Sequence, residues 1–415
     1  MREAPADSFA AREQRIADAI SLAEPDRVPI CLRSGFFPAK YRGLPGETSF
    51  YDVRAWNKAT LRCALDYQPD AYESMVGKIP GLALEILGAK QVLWPGHGVS
   101  RGASHQLLEL ENMREDEYDA FLEDPSDFLM RVYLPRIWEA LAPLASLPPF
   151  RHLISSTALA SYVGQLASPD FVEAFAALAK AAKVTSQWTA IASEVEGEIA
   201  AAGIPSLTSL ICFAPFDLIS DHLRGMRGAM TDMYRQPDKL VAACERLVSA
   251  QIDAAAGPAR TARTKRVFIP LHRGSDGFMS LRQFETFYWP TLKQVIVTLV
   301  EMGLTPCPFF EGTWDARLDY LRELPKGKVL CHFAQTDMAR AKGALDGHLC
   351  IMGNVPASLL QLAGEDEVRD YCKRLIDSCA PGGGFILTHM PLDEAKPENV
   401  RAMIDFTKEY GVYKR

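Results

Sequence analysis

Glu311 and His332 are the two side chains whose type and place best suit them to hold a metal or move a proton. Each stands at the end of a short apolar run, Thr305–Phe310 in one case and Lys328–Phe333 in the other. A carboxylate and an imidazole so placed can serve acid–base or metal-assisted catalysis. The helical segment between the runs, around Trp314–Leu324, makes the stretch one strand–helix–strand unit, which predicts parallel pairing through a right-handed crossover. In a parallel α/β barrel the carboxyl ends of the strands floor the active site, so Glu311 and His332 should stand side by side there.

The elements that would position them recur along the chain. From Ile204 onward apolar runs alternate with helical segments: Leu207–Phe213, Val267–Leu271, the two runs above, Leu349–Met352 and Phe385–Thr388. His272 follows the second of these, with Asp276 as a candidate hydrogen-bond partner, and His389 follows the last. Near the N-terminus, Val28–Leu32 runs into Arg33, and a short strand falls near Asp70–Glu73. That makes eight strands, and a (β/α)8 TIM barrel is the economical architecture. Gly77–Glu111 predicts an N-terminal hairpin, and helical sequence runs from Glu115 to about Ile199. Residues 77–200 therefore read as an insertion or lid on one domain spanning 1–415.

Composition narrows the function classes. A net charge of −7 leaves no basic excess for a nucleic acid. No apolar run approaches the roughly 20 residues of a membrane span, and the charged N-terminal stretch lacks a signal peptide's apolar core. Nine cysteines without regular spacing suit reduced thiols and a cytoplasmic location. A homodimer is the assembly considered. Ordinary structural roles compete at each candidate: Glu311 could pair with Arg317, and His97, His105, His152, His222 and His348 read as surface or packing residues.

Several segments resemble the uroporphyrinogen decarboxylase superfamily, in matching order along nearly the whole chain. These are EPDRVPI at Glu24–Ile30, FAPFDLISDHLRG at Phe213–Gly225, GNVPASLL at Gly353–Leu360, and the closing GGGFILTHMPLDEAKPENVRAMID. The resemblance implies a single barrel domain and one of two chemistries: cofactor-free tetrapyrrole decarboxylation, or zinc-dependent methyl transfer to or from a corrinoid protein. The decarboxylase's arginine-rich loop corresponds to LRSGFFPAKYR, where Arg33 remains and Phe36 replaces a second arginine. Asp221 or a neighbour replaces a tyrosine. A pocket with Phe36, Asp221, Asp276 and Glu311 suits a polycarboxylate poorly. The zinc ligands of the thiol methyltransferases, a His-x-Cys on one strand and a Cys at the end of the last, match Phe309, Glu311 and His389, so the thiolates are gone and Glu/His chemistry replaces them. The Glu311–His332 spacing is similar to the motif of the O-demethylating branch.

The resemblance thus implies an enzyme moving a methyl group from a methoxylated, aromatic small molecule to the cobalt of a corrinoid carried by a separate protein. Catalytic roles fall to Glu311, His332 and His389, and substrate contacts to Arg33, Phe36, His272, Asp276 and Asp221. Glu311 and His332 would be the zinc ligands, with His389 or His272 as a third. Without a metal, His332 or His389 would protonate the leaving oxygen. The alternatives are a cofactor-free decarboxylase of a tetrapyrrole or related acid, and a non-catalytic barrel that binds a corrinoid protein or ligand.

Overall fold

The computed structural model describes residues 8–74 and 76–414, so the first seven residues of the charged N-terminal stretch lie outside the described residues. Helix Phe9–Ile20 begins at Ser8, whose side chain accepts from the Ala11 N–H. Strand β1 (Cys31–Arg33) pairs in parallel with β2 (Ala71–Glu73), setting Arg33 opposite Glu73. Six further strands form one parallel sheet in chain order: β3 (Leu210–Ile211), β4 (Arg266–Leu271), β5 (Thr305–Phe310), β6 (Leu330–Phe333), β7 (Cys350–Val355) and β8 (Phe385–His389).

The two sheets meet through single parallel bridges, Ile30 to Leu387 and Tyr72 to Ser206. The expected α/β order with parallel strands is present, but the continuous ladder holds six strands rather than eight. A proline stands at each seam. Pro29 and Pro205 accept through their carbonyls from Leu387 and Tyr72, at 2.9 Å in both cases, and neither can donate in return.

Strand side chains alternate between two cores. One face gives Cys31, Ala71, Cys307, Leu330, Cys350, Met352 and Ile386, which pack against Ile16, Ala19 and Ile20 of the first helix. The other face, with Val267, Ile269, Phe310, Cys331 and Phe333, packs on the outer helices. All nine cysteines are buried and unpaired. Among the described residues no helix is long and apolar enough to cross a membrane.

Strand Thr305–Phe310 keeps its predicted bounds, whereas Leu207–Phe213 shortens to two residues and Trp314–Leu324 breaks into two short turns. Between residues 77 and 111, Val92–Pro95 pairs antiparallel with Gln106–Leu107. The helical stretch beyond it includes the 33-residue helix Pro169–Ala201, which packs against helix Val53–Tyr67. Asn57 donates to the Ile191 carbonyl across that contact, at 2.7 Å.

Candidate active site

The register of β1 and β2 brings together the first of two polar clusters at the carboxyl ends of the strands. Arg33 Nε donates to Glu73 Oε2 at 2.5 Å, and the other Glu73 oxygen accepts from the Thr208 hydroxyl. Arg33 Nη1 donates to His332 Nδ1 at 3.2 Å, and its backbone N–H donates to His389 Nε2 at 3.2 Å. The guanidinium lies over the Phe268 and Phe309 rings, 5.0 and 4.8 Å from their centroids.

These contacts fix the histidine tautomers. His389 accepts at Nε2, so its Nδ1 carries the proton and donates to the Met390 carbonyl at 2.7 Å. His332 accepts at Nδ1, leaving Nε2–H buried with no partner. Burial, aided by the Arg33 charge, lowers the His389 pKa to about 4. Burial, Arg33 and His389 push His332 well below its ordinary value. Both histidines are neutral at pH 7.

The second cluster has the opposite character. Asp217 and Asp221 lie one turn apart, and a π-helical turn over Ile219–Leu223 carries Asp221. Asp217, wholly buried, accepts from the His272 and Arg273 N–H groups at 2.9 and 3.1 Å and from the Tyr288 hydroxyl at 2.7 Å. It thereby clamps the backbone just beyond β4. His272 Nδ1 meets Asp221 Oδ2 at 2.5 Å, and its Nε2 stands 3.7 Å from Glu311 Oε1.

Burial alone would lower the His272 pKa, but the Asp221 hydrogen bond and the charges of Asp217, Asp221 and Glu311 outweigh it and raise the value to about 9. Burial raises the pKa of Asp217, and the Asp221 charge adds to it. Burial likewise raises Glu311. For Asp221 burial is outweighed by His272 and Arg273, and its pKa falls. An imidazolium is thus held between carboxylates at the strand ends. Tyr288→Phe removes a hydrogen bond to a buried acid. It should cost about 1.5–3 kcal/mol of stability, read as a lower urea midpoint with an unchanged slope.

The other predicted site residues lie apart from both clusters. The Asp276 carboxylate accepts from the Ala316 N–H at 3.1 Å and pairs with Arg317, so it braces the loop after β5. Asp221, not Asp276, is the partner of His272. Phe36 packs with Phe50, Leu84 and Trp94. Glu311 turns to His272 rather than pairing with His332 across the floor.

The donor set also fails to fit a zinc ion on Glu311 and His332. A guanidinium already occupies His332 Nδ1, and its positive charge acts on Glu311 as well. Among the described residues no group of three or more His, Cys, Asp or Glu is arranged to hold a metal.

Sequence reading missed Glu73, Asp217, Arg273 and Tyr288. Glu73 carried a usable signal, since it ends a short predicted strand as Glu311 does. Arg273 links the cluster to the stretch after the small hairpin, through Asp221 at 2.9 Å and through Glu109.

The sequence profile of the uroporphyrinogen decarboxylase (URO-D) family matches residues 159–410. No curated protein matches the sequence. Among solved structures, a methyltransferase from Methanosarcina mazei is similar with a TM-score of 0.60 and 14% sequence identity, over 97% of this chain and 99% of that one. At that identity the likeness speaks to the fold alone. The profile covers well over half the chain and takes in His272, Glu311, His332 and His389. By that match, this chain belongs to the uroporphyrinogen decarboxylase family.

Proposed function

We infer that the chain is a methyltransferase that removes a methyl group from a methoxylated aromatic small molecule and passes it to a corrinoid carried by a separate protein. The eight strands form one (β/α)8 barrel, closed at its two proline seams, and residues 77–200 are an insertion on that single domain. The observation that carries the reading is His272 at the strand ends, its Nδ1 2.5 Å from Asp221 Oδ2 and its Nε2 facing Glu311 Oε1 across 3.7 Å. The solved methyltransferase from Methanosarcina mazei shares the fold, and this reading extends that likeness to the reaction class.

Cleaving a methyl ether leaves charge on the departing oxygen. The reduced corrinoid supplies the electron pair that forms the new bond to the methyl carbon. The carbon–oxygen bond breaks with its pair going to oxygen, and His272 Nε2 gives that oxygen its proton. Asp221 keeps the ring oriented and charged, while Glu311 faces the same nitrogen and favours the protonated state. No step uses a metal bound by Glu311 and His332. The Arg33–Glu73 pair and the neutral histidines form the floor beneath.

The sign of the pH dependence follows. The acid form is the active one, so methyl transfer should hold steady to about pH 9 and fall above it. The same proton stabilises the fold: that contribution is complete below about 6.5, the unfolded value, and is lost as pH rises through 9. Asp221→Asn removes the largest upward influence, and the alkaline fall should then begin at lower pH. The assay mixes the protein with a reduced corrinoid protein and a series of methoxyarenes and follows the cobalt absorbance. No absorbance change with any donor, or a pH profile that Asp221→Asn leaves in place, would sink the reading.

A further inference from the structure

A cavity opens at the seam between β2 and β3. Its volume is about 360 Å³, and helices Val53–Tyr67 and Pro169–Ala201 form its outer walls. Glu73 also lines it, with both carboxylate oxygens closed by Arg33 and Thr208. The lining divides by chemistry. Val195, Ile199 and Leu210 are apolar, while Asn57, Thr60 and Ser206 are polar. Lys78 and Arg263 at the same cavity are both engaged by Glu196, so no unpaired charge waits for an ionic ligand.

Three buried polar atoms on residues lining this cavity lack partners: Asn57 Oδ1, Thr60 Oγ1 and Tyr72 Oη. The orientation of the Asn57 amide is not arbitrary. Its nitrogen donates to the Ile191 carbonyl at 2.7 Å, and a flipped amide would set oxygen against oxygen there. The oxygen left over is therefore an acceptor with nothing to accept. Buried polar groups without partners are uncommon, and three on the residues of one cavity call for a partner from outside the chain.

Water alone suits the space poorly. Roughly a dozen molecules at about 30 Å³ each would fit, and half the wall offers them no hydrogen bond. The volume lies in the range of small-molecule sites, which combine apolar walls with a few placed polar groups.

The geometry points to a binding site for a small neutral hydroxylated molecule with one apolar face, an alcohol or a phenol. Its hydroxyl donates to Asn57 Oδ1 and exchanges a hydrogen bond with Thr60, and its carbon face lies on Val195 and Ile199. This site is separate from the imidazolium at the strand ends and does not depend on the methyltransferase reading.

The test titrates the full-length protein by calorimetry with phenol, with 1,2-propanediol, and with toluene as the probe lacking a hydroxyl. Binding of phenol alone assigns an aromatic ligand, binding of the diol alone an aliphatic one, and toluene should bind more weakly than either. Thr60→Val keeps the shape and removes an unpartnered hydroxyl. It should raise the melting temperature of the free protein while weakening hydroxylated probes about tenfold. Val195→Phe fills the cavity and should abolish binding even if Asn57→Leu fails to fold. His272→Gln should leave binding unchanged, so loss of methyl transfer and loss of this site are told apart. No binding of either hydroxylated probe, or affinities indifferent to Thr60→Val and Val195→Phe, overturns the proposal.

Discussion

His272→Gln should lower the turnover of methyl transfer about 10²–10⁴-fold, the range a positioned general acid contributes. Glutamine keeps a hydrogen-bond donor in the same region but has no acidic proton to give. The clamp on this backbone is Asp217, which accepts from the His272 and Arg273 N–H groups and is untouched by the substitution. The loop should therefore stay in place, with the loss falling on kcat and KM little changed. His332→Gln is the informative companion. Its pKa is pushed well below the ordinary value, so at neutral pH it has no labile proton for a leaving oxygen. On the proposed reading, the role that sequence reading gave to His332 or His389 is assigned to a histidine it had listed for substrate contact. If His332→Gln costs as much as predicted for His272→Gln, and His272→Gln costs nothing, the acid belongs to the Arg33 cluster instead.

How far the sequence could be read depended on which signals were local. Strand Thr305–Phe310 keeps its predicted bounds because a local apolar run, with a glycine on either side at Gly303 and Gly312, marks it within a few residues. The ends of β5, β6 and β8 were legible for the same reason, and with them the positions of Glu311, His332 and His389. What those side chains touch was not legible.

Contacts across the floor depend on register and strand-end geometry, which no local pattern encodes. Adjacent strand ends made Glu311 and His332 natural partners. In the structure Glu311 turns back one strand to His272, and His332 reaches across to Arg33 on β1. Asp221 reaches His272 from a π-helical turn whose extra residue has no sequence signature. The seams were likewise invisible as seams, although both prolines were in plain view. The sequence announced parallel α/β order. It did not announce that Pro29 and Pro205 stand where the ladder thins to single bridges.

Arg33→Met should be among the most destabilising substitutions in the protein, at about 3–5 kcal/mol. The Arg33 and Glu73 side chains are only 17% and 4% exposed, so their pair is largely shielded from water. Removing the guanidinium leaves Glu73 with the Thr208 hydroxyl as its remaining partner, and leaves the Phe268 and Phe309 faces without the group that fills them. The cost of such a deletion is mostly that of the stranded carboxylate, not the worth of the pair. Adding Glu73→Leu to Arg33→Met should therefore recover much of the loss.

A second readout separates charge from packing. Two neutral buried histidines make the wild-type fold acid-sensitive: their depressed pKa values mean that stability is full above about 6.5 and falls as pH drops toward 4. Each contributes about 1.4 kcal/mol per pH unit while it stays neutral in the fold and protonates when unfolded. Burial is the larger cause of both shifts and Arg33 the smaller, so Arg33→Met should raise the NMR titration midpoint of His389 only part of the way from about 4. A midpoint that does not move would mean the guanidinium acts on these rings by packing alone. One that returns to the ordinary histidine value would mean the floor has opened to water.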